Sequence, residues 1–164
     1  MLVLGVDPGT RSMGYGLINA KDHKSLKPIV YGAWRPRASL PLYKRLGFIQ
    51  SALKTFIHEQ SPDVIVLEKS FCGKNVRASM SLGEARGTVL SLAGQFDLEL
   101  VEYAPTSVKS AVSGVGRATK EQVQKMVKLF LGINDLFKTD DESDALALAI
   151  TYVQKELIRK CILT

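Results

Sequence analysis

The first 35 residues constrain the fold more than any other segment, because they contain three short apolar runs joined by short links. Leu2 to Val6 ends at the turn-forming sequence Asp7-Pro8-Gly9, which is typical of a strand followed by a turn. The runs Gly14 to Asn19 and Ile29 to Arg35 have the same character. Three consecutive strands with such short links predict an antiparallel meander.

Beyond the meander, the spacing of apolar residues predicts helices that alternate with strands. Capping boxes at Thr119 with Gln122 and at Thr139 with Glu142 predict the starts of the last two helices. The predicted helices are 42–59, 77–96, 119–131 and 139–159, and the predicted further strands are 63–67 and 98–103. The order β-β-β-α-β-α-β-α-α predicts one α/β domain over residues 1–164. Its mixed five-stranded sheet has three antiparallel strands followed by parallel ones, with helices on both faces.

Four acids stand at positions that this fold would bring together. Asp7 and Glu68 directly follow two strands, and residues at the carboxyl ends of parallel neighbours lie side by side. Asp141 and Asp144 are three residues apart at the start of the last helix and therefore share one face. Any one of them alone is better explained as a turn residue or as an acid that complements a helix dipole. As a group they would repel one another unless divalent cations were bound, and an all-oxygen set favours Mg²⁺ or Mn²⁺.

The charge balance favours a polyanionic partner. Lys and Arg number 22 against 16 Asp and Glu, which gives a net charge of +6 and suggests a nucleic acid. Two divalent ions in the acid site would activate water and stabilise the leaving oxygen of a phosphodiester. Lys109 and Lys120 could bind phosphate or stabilise developing charge, although a solvated lysine is the simpler interpretation of either one alone.

Several features predict a cytoplasmic protein without a membrane segment. Cys72 and Cys161 form no CxxC pair, and two thiols do not make a disulfide framework in a chain of 164 residues. The N-terminus lacks a basic segment and is better explained as a strand than as a signal peptide. The apolar stretch Ala145 to Val153 is too short to span a bilayer. We therefore expect reduced thiols in the cytoplasm.

A stripe of small residues marks one side of the predicted helix 77–96. It consists of Gly83, Gly87, Ser91 and Gly94. Each glycine inside a helix costs about 1 kcal/mol relative to alanine, so close packing against a neighbouring element is expected. The residues alone leave open whether that neighbour is the sheet of the same chain or the same helix of a second copy.

Five segments carry a specific resemblance to a known family. They are GVDPGTRSMGYG at 5–16, DVIVLEKSF at 63–71, LGEARG at 82–87, YAPTSVKSAVSGVGRATKEQVQKMV at 103–127 and DESDALALAITY at 141–152. In this order, and over nearly the whole chain, they resemble RuvC, the bacterial Holliday-junction resolvase family of the RNase H-like superfamily. The segment 103–127 and the D-x-x-D-A-L-A motif are far more specific than D-P-G-T alone.

The resemblance implies an RNase H-like fold and a structure-selective endodeoxyribonuclease. Such an enzyme resolves four-way DNA junctions by paired symmetric nicks, through two-metal-ion hydrolysis, in homologous recombination and DNA repair. The implied ligands of two Mg²⁺ ions, or of Mn²⁺ as a substitute, are Asp7, Glu68, Asp141 and Asp144, and Lys120 joins them as a catalytic residue. The resemblance also implies a homodimer that cooperates with the RuvA and RuvB branch-migration proteins.

The resemblance also implies that Phe71, Lys109 and Lys120 contact the DNA. Lys69 and Lys74, which lie beside Phe71 in the sequence, and Arg77 are expected to contact the DNA as well. The polar segment around Phe71 supports this independently, because a large ring there, between two lysines, suits stacking on DNA bases. A twofold dimer suits a symmetric four-way substrate, and the resemblance therefore favours the second explanation of the small-residue stripe, helix on helix.

Three rival functions are less well supported. ATPases of the actin, sugar-kinase and chaperone superfamily share D-x-G-T after a first strand, but they need two lobes around ATP and this chain supplies one. A junction-binding protein without catalysis is disfavoured by the intact acid set. An RNA-processing nuclease of the same superfamily is disfavoured by the Phe71 loop and by the segment with Lys109 and Lys120, but only through the resemblance.

Overall fold

The computed structural model describes residues 1–22, 25–69 and 75–162, and for 157–162 only the backbone. Five strands and five helices occur in these ranges. In chain order they are β1 (Leu2–Asp7), β2 (Met13–Ala20), β3 (Leu26–Trp34), α1 (Leu42–Gln60), β4 (Val64–Glu68), α2 (Val76–Gln95), β5 (Glu99–Tyr103), α3 (Pro105–Ser113), α4 (Lys120–Leu131) and α5 (Asp140–Ile162).

The strands form one mixed sheet in the order β3-β2-β1-β4-β5. The first three strands pair antiparallel as a meander, and β4 and β5 continue the sheet in parallel with β1. The predicted α/β architecture with three antiparallel strands followed by parallel ones is therefore confirmed. Because β1 lies at the centre and runs parallel to β4, the carboxyl ends of these two strands meet at one edge.

Alternating residues of the strands fill two cores, one on each face of the sheet. Val3 and Ile18 face the core that contains α3, α4 and α5. Leu4 and Leu17 face the opposite core, which contains α1 and α2. The prediction of helices on both faces is confirmed, and the first core carries the helix on which two of the candidate acids lie.

Helix α5 packs closely on the sheet because glycines occupy the strand positions beneath it. A Cβ added to Gly5 would lie 1.9 Å from the Ala145 carbonyl oxygen, and one on Gly14 would lie 2.2 Å from that of Asp141. Side chains cannot occupy such positions without moving the helix backbone. These glycines therefore fix the height of the first two turns of α5 above β1 and the start of β2.

Two details of the sequence prediction are wrong. The prediction omitted α3, whose first position is Pro105 and whose N-cap residue, Ala104, offers no side-chain cap; the helix is held instead by the burial of Val108 and Val112. The Thr139–Glu142 capping box is not formed, since Glu142 Oε2 accepts a hydrogen bond of 2.9 Å from the Lys138 amide, one residue before the expected donor.

Candidate active site

Asp7 and Glu68 lie side by side at the carboxyl ends of the two central parallel strands. The last pair of this ladder is Val6 with Leu67, and the two acids directly follow it. Both side chains are partly exposed at the end of otherwise buried strands. The expectation that the two strand ends bring these carboxylates together is confirmed by this register.

Asp141 and Asp144 reach the same edge from α5. Asp7 pairs across the sheet with Gly14, and the backbone of Asp141 lies directly over Gly14. Asp144 follows one helical turn later on the same side of α5. The structure thus gathers all four sequence-predicted acids at one sheet edge, and we call Asp7, Glu68, Asp141 and Asp144 the acid cluster.

The electrostatics of Asp7 reflect this crowding. Its pKa is raised from 3.8 to about 7, first by burial and then by the negative charges of Asp144, Asp141 and Glu68, against the opposing effect of Lys120. None of the residues that the structure describes donates a hydrogen bond to the Asp7 carboxylate. An anion without local donors, surrounded by other anions, is a poor arrangement for a side chain unless a cation binds there.

Glu68 and Asp144 face a small pocket that also contains two lysines. The pocket has a volume of about 270 Å³, and Lys109 and Lys120 line it together with the two acids. Burial raises the pKa of Glu68, Asp144 adds to this, and Lys109 opposes it. Burial likewise raises the pKa of Asp144, against a hydrogen bond from Lys120. Both predicted catalytic or DNA-contacting lysines therefore lie beside the acid cluster.

Lys120 is the first residue of α4, whose predicted capping box is confirmed: Thr119 accepts from the Gln122 amide, and the Gln122 side chain accepts from the Thr119 amide. The Lys120 Nζ lies 3.0 Å from Asp144 Oδ2 and 3.1 Å from Asp140 Oδ2. Burial lowers the pKa of Lys120, but the hydrogen bonds to the two acids outweigh it and the pKa is raised. The ammonium is therefore charged and is shared between a cluster acid and Asp140.

Sequence reasoning missed two residues that hold Asp141. Ser12 Oγ donates a hydrogen bond of 2.5 Å to Asp141 Oδ2, and Arg35 Nη2 lies 3.9 Å from the same oxygen. Ser12 lies in the turn after β1 and Arg35 directly follows β3. No local pattern predicts these contacts, because the partners are 129 and 106 residues apart along the chain.

A third missed residue, Arg86 of α2, holds the backbone beneath Glu68. Its guanidinium donates to the Glu68 carbonyl oxygen and forms an ion pair with Glu102 of β5. Its side chain is only 13% exposed, which makes the pair less screened than a surface one. Arg86 therefore ties the carboxyl ends of β4 and β5 to α2. The L-G-E-A-R-G segment marked this residue, but nothing in it indicated the role.

The acid cluster fits a divalent cation by its chemistry. Its candidate ligands are all carboxylate oxygens, which suit hard cations. The pKa of Asp7 is raised, and no described residue donates a hydrogen bond to its carboxylate. Within the described ranges, however, no three His, Cys, Asp or Glu side chains are already gathered tightly enough to hold an ion. The Asp144 carboxylate is turned to Lys120 instead, so rotation of the Asp144 side chain would have to accompany binding.

The other predicted DNA-contacting residues lie around this edge where they are described. Lys69 directly follows Glu68, and its side chain is exposed. Arg77 is exposed at the start of α2 and lines a groove of about 540 Å³ together with Thr10, Arg11 and Ser12. Phe71 and Lys74 lie outside the described residues.

The acids left out of the predicted site are elsewhere or differently engaged. Asp63 lies at the opposite end of β4 and accepts a hydrogen bond of 2.6 Å from the Leu2 amide. Asp135 is exposed before α5. Asp140 is engaged by α4, and its pKa is lowered by the hydrogen bond from Lys120 and then by that from Gln124.

The small-residue stripe lies on the solvent side of α2. Gly83, Gly87, Ser91 and Gly94 are exposed, and a Cβ on any of the three glycines would meet nothing within 4 Å. Met80 and Leu90, on the same side, are 63% and 43% exposed. We call these six residues the α2 outer face. Packing within the chain therefore does not explain its glycines.

In the part of the chain that the structure describes, no helix is both long and apolar enough to cross a membrane.

Comparisons with known proteins found both a matching family profile and similar sequences. The profile of the family described as crossover junction endodeoxyribonuclease RuvC matches residues 3–152. A relative with that name from Desulfitobacterium hafniense (strain DSM 10664 / DCB-2) is 44% identical over 152 residues, covering 93% of this chain and 92% of the relative. Another, from Thermomicrobium roseum, is 42% identical over 154 residues, covering 94% and 93%.

A solved structure is similar over almost its whole length. RuvC of Thermus thermophilus in complex with a Holliday junction substrate superposes with a TM-score of 0.91 at 28% identity, covering 97% of this chain and 96% of that one. The similarity includes the mixed sheet and the helices on both faces, so the fold is RNase H-like, as the resemblance implied. With a family profile that spans most of its length and relatives above 40% identity, this chain belongs to the RuvC family of crossover junction endodeoxyribonucleases.

Proposed function

We propose that this protein is a metal-dependent endodeoxyribonuclease that resolves four-way DNA junctions by paired nicks, with the acid cluster as its catalytic centre and the chain acting as one RNase H-like domain. The observation that carries the proposal is the convergence of four carboxylates on one sheet edge, beside Lys109 and Lys120. The similarity to a RuvC bound to a Holliday junction substrate supports the same substrate here.

The acid cluster would hold two Mg²⁺ ions, with Mn²⁺ as a substitute, through Asp7, Glu68, Asp141 and Asp144. Such ions, when bound, activate water and stabilise the leaving oxygen of a phosphodiester. Ser12 fixes one oxygen of Asp141, which restricts how that carboxylate can turn. Arg86 fixes the backbone of Glu68. Lys109 and Lys120 place positive charge at the pocket beside the acids, where negative charge develops on the phosphate during hydrolysis.

The groove next to the cluster suits a DNA backbone. Its lining includes Arg11 and Arg77, two cations that can contact phosphates, as well as backbone and hydroxyl donors. The groove is continuous with the cluster through Ser12, which lines it and bonds to Asp141. Lys69, Phe71 and Lys74 belong to the segment between Glu68 and the start of α2, and we propose that they contact the junction centre.

The α2 outer face suits a second copy of the chain. Exposed Met80 and Leu90 supply apolar contacts, and the glycines between them allow two helices to approach closely. A twofold axis there would present two acid clusters to the two symmetric strands of a junction. We further propose that this dimer acts in the cytoplasm together with the RuvA and RuvB branch-migration proteins.

The test compares cleavage of a synthetic four-way junction with cleavage of a linear duplex of the same sequence, each in Mg²⁺ and in EDTA. We expect paired, religatable nicks in the junction only, and only with Mg²⁺. Asp7→Asn should reduce nicking by about 1,000-fold or more while junction binding persists, and the matched variant Asp135→Asn should cut normally. Equal cutting of the linear duplex, or full nicking by Asp7→Asn, would refute the proposal.

A further inference from the structure

Asp140 differs from the neighbouring cluster acids in what its carboxylate contacts. Its Oδ2 lies 3.1 Å from Lys120 Nζ, and its Oδ1 accepts a hydrogen bond of 2.9 Å from Gln124 Nε2. Lys120 and Gln124 lie one turn apart on α4. Both oxygens of Asp140 are therefore engaged by side chains of α4, the helix that carries the lysine.

Lys120 occupies a position that its own helix disfavours. It is the first residue of α4, where the positive end of the helix dipole repels a cation. Its side chain is 46% exposed, so extension into solvent would be an easy alternative. The two ion pairs with Asp144 and Asp140 are what hold the ammonium over the pocket.

These two acids are not equivalent once a cation binds to the acid cluster, as the proposed function requires. A carboxylate that coordinates a divalent ion attracts an ammonium more weakly, because the ion neutralises its charge. The ion and the ammonium also repel each other. Cation binding would therefore weaken the ion pair between Asp144 and Lys120, although Lys120 is then required to stabilise negative charge on the phosphate. Asp140 is not one of the proposed ligands, so its carboxylate stays available to Lys120, and the hydrogen bond from Gln124 keeps it oriented.

We propose that Asp140, oriented by Gln124, is a positioning residue that keeps the Lys120 ammonium beside the acid cluster when a cation engages Asp144. The inference rests on the proposed function. It assigns a role to an acid that is neither a metal ligand nor a contact of the reacting phosphate.

Single-turnover nicking of a four-way junction in Mg²⁺ is the first test. Asp140→Asn should lower the rate by about fivefold, as expected for a partly exposed ion pair, while the dissociation constant for the junction, measured in Ca²⁺, stays within about twofold. Gln124→Leu should act in the same direction, and Asp135→Asn serves as the control for lost charge. An unchanged rate for Asp140→Asn, or a loss confined to junction affinity, overturns the proposal.

A double-mutant cycle with Lys120→Ala separates positioning from a direct charge effect. In the Lys120→Ala background, Asp140→Asn should cause no further loss of rate. Binding of Mn²⁺, followed by electron paramagnetic resonance, needs no activity: Asp140→Asn should weaken it by about threefold when Lys120 is present, because the ammonium then competes for Asp144 alone, and should leave it unchanged in Lys120→Ala. The same loss in both backgrounds overturns the proposal.

The two proposals fail in distinguishable ways. If the unmodified protein does not cut junctions, or Asp7→Asn cuts them as well, the proposed function is wrong. If the unmodified protein cuts and Asp7→Asn does not, but Asp140→Asn gives the same ratio with and without Lys120, only the positioning role is wrong.

Discussion

The glycines beneath α5 and the glycines on α2 differ in the space that surrounds them. A Cβ on Gly5 would lie 1.9 Å from a backbone oxygen of α5, whereas one on Gly83 or Gly87 would meet nothing within 4 Å. The first group is required by packing inside the chain and places α5 over the strand ends. The glycines on α2 lower the stability of the helix, and no packing contact within the chain requires them. The comparison separates a face that builds the candidate site from a face that suits a partner.

The largest expected effect contrasts one glycine from each region. Gly5→Ala should lower the free energy of unfolding by about 3 kcal/mol or more, since the methyl group must displace the backbone of α5. Gly87→Ala should leave it unchanged or raise it by up to about 1 kcal/mol, because alanine favours the helix. Urea unfolding at several protein concentrations measures both. Equal stabilities for the two variants would contradict the comparison.

The acid cluster is the part of the candidate site that sequence reasoning predicted best. Strand-end positions for Asp7 and Glu68 and a three-residue spacing for Asp141 and Asp144 follow from local patterns and topology. The contacts of Ser12, Arg35 and Arg86 could not be predicted in this way, because each joins segments that meet only in the folded chain.

The fold was predicted except where local signals were weak. The meander and the parallel strands followed from apolar runs, but α3 was missed because it is nine residues long and lacks a side-chain cap. The Thr139 capping box failed because Glu142 bonds one residue earlier than its sequence position predicts. The α2 outer face could be predicted as a stripe, whereas its exposure required the structure.

The second prediction concerns the charge that close packing of α5 places at the strand ends. Asp7 has a pKa of about 7 in the folded chain against an ordinary 3.8, so between these values the folded state binds more protons than the unfolded state. The contribution of Asp7 to stability therefore falls as pH rises from about 4 to 7 and stays reduced above that range. Asp7→Asn should remove this loss and be more stable at pH 8 by on the order of 2 kcal/mol, with no advantage below pH 4.

Thermal unfolding in EDTA across this pH range tests the second prediction. Addition of Mg²⁺ at pH 8 should raise the melting temperature of the unmodified protein more than that of Asp7→Asn, because ligands that bind only the folded state stabilise it. Asp135→Asn, an exposed acid outside the cluster, should behave like the unmodified protein. A pH-independent difference between Asp7→Asn and the unmodified protein would show that charge at Asp7 is not the cause.

The third prediction tests the open region. Gly87→Leu should weaken association of two copies by about tenfold or more, since a twofold interface contains each added side chain twice and overpacking is costly. Its fold should survive, because the position faces open space. Gln50→Leu adds the same side chain to an exposed position of α1 and serves as the control. Sedimentation equilibrium measures the dimer, and undiminished association of Gly87→Leu would exclude this face as the interface.

The smallest expected effect, on the rate of junction nicking, concerns the hydrogen bond that Ser12 donates to Asp141 at the start of α5. Ser12→Ala should lower the rate of junction nicking by about fivefold and raise the Mg²⁺ concentration for half-maximal rate, because one hydrogen bond to a carboxylate is lost. Ser12→Thr keeps the hydroxyl and should retain most of the rate. Junction affinity in Ca²⁺ should change little in either variant, since Arg11 and Arg77 still line the groove. If the nicking rate falls by the same factor in Ser12→Ala and Ser12→Thr, the hydrogen bond to Asp141 does not orient this carboxylate for cation binding. The turn after β1 would then act through its backbone conformation alone.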